Sequence, residues 1–124
     1  MPDKPLAYLA SPITSTEKRT VVERQLLAAR ISTVLTHLGL RFFCPAIYSK
    51  ELVENGADLT HAEWMLFDSP FLQKCDILIV LCLTGWADSK GVAMEIEYFQ
   101  KRRKPIFYLT PDEDTERNIL HYGN

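Results

Sequence analysis

Short apolar runs alternate with longer amphipathic stretches along this chain, and the alternation predicts strands and helices in turn. Leu6-Ala7-Tyr8-Leu9-Ala10 is a compact apolar run closed by Ser11-Pro12, and it reads as a first strand. Thr14, Ser15 and Thr16 form a capping region. Beyond it Leu27, Ile31, Val34, Leu35 and Leu38 recur at helical spacing and predict a helix over residues 17–38. Gly39 stands where a helix of that extent ends, one position past its last turn. Residues 41–44 form a second short strand, stopped by Pro45. Residues 46–60 are long and mixed, and a stretch of that kind in a compact domain is often functional or conceals a short helix.

Residues 61–74 carry Trp64, Phe67, Phe71 and Cys75 on one helical face. Ser69-Pro70 inside that stretch has the form of a cap followed by a first helical position, which allows two shorter helices meeting at Asp68. Residues 76–82 are the plainest strand. Their unbroken apolar run requires burial on both faces, as at the centre of a parallel sheet. A helix over residues 90–103 and a strand over 105–109 follow. The polar tail after Thr110 reads as a short helix or an arm.

The resulting order β-α-β-α-β-α-β predicts a single α/β domain over residues 1–124. Its expected architecture is a flavodoxin-like or Rossmann-like three-layer αβα sandwich around a parallel sheet of four strands, or five if the tail adds one. Such sheets bind ligands outside the carboxyl ends of their strands, near the point where strand order reverses. The loops expected at that edge are residues 11–15, 45–60 and 83–91, and the chain from Thr110 onward.

Composition narrows the picture. A formal charge of -2 gives no sign of a nucleic-acid or membrane surface. The one basic run, Lys101-Arg102-Arg103-Lys104, falls at a predicted helix end, where it complements the helix dipole. Cys44, Cys75 and Cys82 are odd in number, form no CxxC and sit in or beside apolar runs. They are expected to pack as small hydrophobes, which fits a reducing cytoplasm. The first 15 residues lack a signal-peptide layout, and no apolar run approaches the roughly 20 residues of a membrane span.

Familiar catalytic signatures are missing: the sequence contains no GxSxG, GxGxxG, Walker loop or HExxH. His37, His61 and His121 have no mutual spacing that suggests a ligand set. The loop Asp88-Ser89-Lys90-Gly91 opens a helix just after the most buried strand. Free N–H groups there suit an anion, and Gly91 admits close approach of a ligand, although a plain cap by Asp88 or Ser89 accounts for the same residues. With Val92, Ile96 and Phe99 on the apolar face of that helix, Glu95 falls on its flank and Glu97 points away. A carboxylate beside an apolar face and near the sheet edge is a candidate for a raised pKa or for a nucleophile. Asp68 repeats the pattern on its own apolar stripe, with helix capping as its ordinary alternative. Asp76, at the amino end of the central strand, reads as a structural cap.

Taken in order, these residues resemble the nucleoside 2-deoxyribosyltransferases and their relatives that hydrolyse 2′-deoxynucleoside 5′-monophosphates. Tyr8-Leu9-Ala10-Ser11-Pro12 is similar to the family's first-strand signature. Asp68, Leu72 and Cys75-Asp76 resemble its Asp-containing segment before the central strand. The run from Ser89 to Ile96 resembles its Ser-x-Gly-x-x-x-Glu-(Ile/Leu) motif. Together the matches span residues 6–109.

The resemblance implies that Glu95 is a nucleophile that attacks the anomeric carbon of the sugar to give a covalent glycosyl-enzyme. It implies that Asp68 manages the proton on the departing base, that Ser89 and Gly91 bind substrate at the sugar or 5′-phosphate end, that Ser11 also binds substrate, and that Tyr8 lines the pocket. It further implies a small-molecule nucleoside or nucleotide substrate, no metal or organic cofactor, and a homodimer or larger homo-oligomer. This is the two-carboxylate logic of retaining glycosidases applied to a nucleoside. The chain departs from the family in carrying Glu97 where a glycine is usual, and its first loop lacks the arginine and glycines that hold phosphate in the nucleotide hydrolases. A second reading keeps the pocket but not the nucleophile: a non-catalytic module that binds or senses a nucleotide or sugar phosphate.

Overall fold

A computed structural model of the chain describes residues 4–13, 15 and 17–111. The expected cap residues Thr14 and Thr16, and the polar tail with His121, lie outside the described residues. The elements run β1 (Leu6–Ala10), α1 (Lys18–His37), β2 (Arg41–Phe43), α2 (Pro45–Glu54), α3 (His61–Lys74), β3 (Ile77–Leu81), α4 (Lys90–Lys101) and β4 (Ile106–Leu109). A single 3-10 turn, Trp86–Asp88, precedes α4.

Among the described residues the sheet has four strands, all parallel, in the order β2-β1-β3-β4. The chain crosses from β1 outward to β2 and then back past β1 to β3, so the order reverses between β1 and β3. Period-two alternation splits each inner strand between two cores. Ala7 and Leu9 of β1 pack with Ala28 and Ile31 of α1 and with Ala46 of α2. Tyr8 and Ala10 pack with Leu72 of α3, Leu78 and Val80 of β3, and Val92 and Phe99 of α4. Helices therefore cover both faces, the three-layer α/β arrangement expected of a Rossmann-like chain.

Local chemistry explains most boundaries. Gly39, at φ 82°, follows α1. The Gly39 N–H reaches the Thr36 carbonyl at 3.0 Å and the Leu40 N–H reaches the Leu35 carbonyl at 3.1 Å, a Schellman closure. The mixed stretch after β2 contains the hidden helix α2, with Pro45 at its start, where a missing N–H costs nothing. Asp76 accepts a 2.8 Å hydrogen bond from the Leu6 N–H and so ties the amino end of β1 to the start of β3. Lys101 in the last turn of α4 pairs with Glu97, and Lys104 donates to the Cys75 carbonyl at 2.8 Å, just past the end of α3. The basic run thus serves two helix termini.

Three expectations need correction. Helix α3 does not break at Asp68: it runs through Pro70, so Ser69 is not a cap and Asp68 is not at a joint. Its true start is a reciprocal capping box, in which the Glu63 N–H donates to Thr60 Oγ1 at 3.2 Å and the Thr60 N–H donates to Glu63 Oε1 at 2.9 Å. Leu72 and Cys75, buried against the sheet, hold the C-terminal half in line beyond the proline. Leu38 lies past the last turn of α1 and is exposed rather than part of its apolar stripe. Helix α4 ends at Lys101, two residues early, because Arg103 takes a left-handed conformation at φ 55° and the Lys104 N–H closes back onto the Phe99 carbonyl at 3.0 Å.

Candidate functional site

The carboxyl edge of the sheet opens into a cleft of about 820 Å3. All four helices begin on it. Lys18 of α1, Pro45 of α2, His61 of α3 and Lys90 of α4, each the first residue of its helix, contribute to the wall. Four N-termini facing one cavity give it a positive backbone potential. Two carboxyl groups, Asp68 and Glu95, sit in the same wall.

Glu95 is in the second turn of α4, three residues beyond the buried Val92, on the flank that helical phase assigns to it. Burial pushes its carboxyl up to about 8; a hydrogen bond with Tyr8 opposes that rise, and the charge of Asp68 adds to it. Asp68 is half-buried on α3. Burial raises its pKa, while the hydrogen bond that Tyr48 donates to Oδ1 works in the opposite direction. The charge of Asp68 therefore reaches Glu95. Glu97, the extra acid of this chain, is 2.7 Å from Lys101 on the exposed side of α4 and plays no part in the cleft.

Tyr8 is only 1% exposed, so it lies behind Glu95 rather than in the cleft wall. Burial, then the charge and hydrogen bond of Glu95, hold its phenol protonated far above the working range, which keeps it a donor to that carboxyl. Ser11 follows β1 directly, lines the cleft, and is 9% exposed, and its hydroxyl has no hydrogen-bond partner among the described residues. A buried hydroxyl without a partner is costly unless something else binds it. Ser89 is the N-cap of α4 and accepts from the Val92 N–H at 3.3 Å, which settles the capping role on Ser89 rather than Asp88. Its O–H still faces the cleft as a donor, because an accepted bond leaves the hydroxyl proton available. Gly91 also lines the cleft.

The structure thus gathers Glu95, Asp68, Ser11, Ser89 and Gly91 around one cavity, with Tyr8 behind it. Sequence reasoning missed Tyr48. It lies in the mixed stretch read as a functional loop or a hidden short helix, and the signal that finds it is helical: Tyr48 occupies the first turn after Pro45, on the side of α2 that faces α3. His61 was given no role from spacing alone, yet it stands at the cleft beside Gly91. Among the described residues no group of three or more His, Cys, Asp or Glu side chains is arranged to hold a metal ion. No helix there is long and apolar enough to cross a membrane.

Comparison with curated proteins finds no match. Residues 6–110, from the first strand to just past the last, match the family described as a domain of unknown function (DUF1937), and the chain belongs to that family.

Proposed function

We propose that this protein cleaves or transfers the N-glycosidic bond of a nucleoside or nucleotide, deoxyribosyl substrates foremost, with Glu95 as nucleophile and Asp68 as proton carrier. The observation that carries the reading is the pairing of these two acids in one cleft, with the pKa of Glu95 lifted to about 8 by burial and by Asp68. Near neutral pH the pair then holds one proton. Attack requires that this proton pass from Glu95 to Asp68, leaving the Glu95 carboxylate free. A Glu95 oxygen bonds to the anomeric carbon as the carbon–nitrogen bond breaks, and the departing base takes the proton from Asp68. Water, or a second base, then attacks the same carbon and releases Glu95, while Asp68 accepts the proton of the incoming nucleophile. Tyr8 donates to the Glu95 carboxylate and orients it. The Ser11 and Ser89 hydroxyls and the α4 N-terminus bind the sugar end. The three free cysteines agree with work in a reducing compartment such as the cytoplasm.

The test is to incubate the protein with deoxynucleosides, deoxynucleotides and free bases and to follow base release or exchange by chromatography. Glu95→Ala should lower turnover by roughly 10^3-fold or more, and mass spectrometry of the wild type should find a glycosyl adduct on Glu95. The profile of kcat/KM should be bell-shaped. Its alkaline limb should fall near 8, where the pair loses its only proton, and its acid limb should mark uptake of a second proton. No release from any common substrate, together with unaltered ligand binding by Glu95→Ala, would sink the reading.

One observation favours the non-catalytic alternative: a carboxyl held up to about 8 is a hydrogen-bond donor at neutral pH, a useful property in a simple binding site. A nucleotide recovered intact after long incubation, and bound equally by wild type and Glu95→Gln, would establish it.

A further inference from the structure

Tyr48 has no place in the chemistry above, yet it is the best-engaged partner of one of the two acids. Its hydroxyl donates to Oδ1 of Asp68. Its ring is clamped from three directions: stacked on Phe67 of α3 at 5.8 Å, tilted against Phe43 of β2 at 5.0 Å, and edge-on to Trp64 of α3 at 6.5 Å. Trp64 and Phe67 lie on the same helix as Asp68, one turn before it and next to it, so α2 and α3 are locked together at the acid. A phenol so fixed has little freedom to leave its partner. Tyr48 itself lies outside the cleft wall, whereas Asp68 is in it. Tyr48 from α2 acts on Asp68, and the charge of Asp68 in turn acts on Glu95 from α4 and on Tyr8 from β1. Of these, Tyr48 is the one that occupies an Asp68 oxygen.

Resting on the N-glycosidic reading, we propose that Tyr48 is a positioning residue: it engages Oδ1 of Asp68, leaves Oδ2 as the oxygen that handles the proton of the leaving base, and keeps the resting proton of the pair on Glu95. A hydrogen bond donated to a carboxylate favours its charged form. Tyr48 therefore makes Asp68 the stronger acid of the pair, slow to hold a proton at rest and ready to release one to the base. No proton is transferred from Tyr48 at any step, because burial and the neighbouring Asp68 hold its phenol protonated.

The experiment uses Tyr48→Phe, which preserves the ring contacts and removes only the hydroxyl. Carboxyl-carbon NMR of the ligand-free protein should show the Asp68 titration midpoint rising by about one pH unit in Tyr48→Phe, the size of effect one such bond exerts. With a deoxynucleoside that the wild type cleaves, kcat should fall about 10-fold while KM changes by less than about twofold, and the acid limb of the rate profile should move up with the NMR midpoint. In an Asp68→Asn background, adding Tyr48→Phe should change the rate no further. An unchanged midpoint, or a rate loss that persists equally in Asp68→Asn, overturns the proposal. A wild type that cleaves nothing overturns the N-glycosidic reading, and the carboxyl midpoint still decides the role of Tyr48.

Discussion

Gly91 lines the cleft at a position where the fold itself does not require glycine. A methyl group at this position would lie 3.6 Å from His61 Cε1 and 3.9 Å from Ser89 Oγ, both ordinary contacts, and its φ is not in the left-handed range. The fold thus has no need of a glycine in the first turn of α4, and alanine is the better helix former by roughly 0.5–1 kcal/mol. Gly91→Ala should therefore raise the thermal midpoint slightly while weakening nucleoside or nucleotide binding about 10-fold, since the added carbon narrows the approach to the α4 N-terminus. Calorimetric titration beside a melting curve separates the two effects; an unaltered affinity would show that ligand does not come close to this backbone. Glu95 was legible at the same scale, because helical phase from Val92, Ile96 and Phe99 fixes its flank without tertiary knowledge. Tyr48 was not, because its meaning lies in a partner twenty residues away on another helix.

At the scale of elements, the carboxylate pair depends on where α3 begins. The Thr60–Glu63 capping box starts that helix, and Asp68 follows two turns later with its side chain in the cleft. Pro70 removes an interior N–H and by itself costs a helix about 3 kcal/mol, so α3 relies on its cap and on Leu72 and Cys75. Thr60→Ala should destabilise the protein by about 1 kcal/mol and, by fraying the first turn, loosen His61 more than Asp68. Chemical denaturation measures the first effect, and hydrogen exchange at the α3 amides measures the second. A loss confined to global stability, with no change in local exchange, would contradict this account.

The proline also explains why the sequence misled here. Ser69-Pro70 carries a true local signal for a helix start, but an earlier and stronger signal at Thr60 and burial of the later turns override it. For α2 the opposite holds. Its composition is mixed because one face meets the cleft and another meets solvent, so no simple periodicity marks it, and only Pro45 announces its start.

The whole molecule sets the electrostatic condition of the site. Strand types and the central position of β3 were readable from apolar runs. The reversal between β1 and β3 was not, since no residue of either strand records its neighbour, and that reversal places Tyr8 of β1 beside the α4 acid. One consequence reaches the stability of the entire fold. The Glu95 carboxyl rises from its ordinary 4.5 to about 8 on folding, so the folded chain binds a proton there that the unfolded chain releases. A raised pKa of this kind contributes stability that is complete below about 4.5, declines as pH climbs, and is lost once pH passes about 8. Glutamine at position 95 has the shape of the protonated acid and never ionises. Glu95→Gln and wild type should therefore melt together near pH 5. Their midpoints should diverge steadily above that, the variant becoming more stable by roughly 4 kcal/mol, or about 15 °C, at pH 9. Asp68 is raised as well and is present in both proteins, so the divergence reports Glu95 together with its coupling to Asp68. Melting curves collected from pH 5 to 9 test this without any substrate. A constant gap across that range would mean that the Glu95 carboxyl is already ionised at neutral pH, and the proton assigned to the pair would have to come from elsewhere.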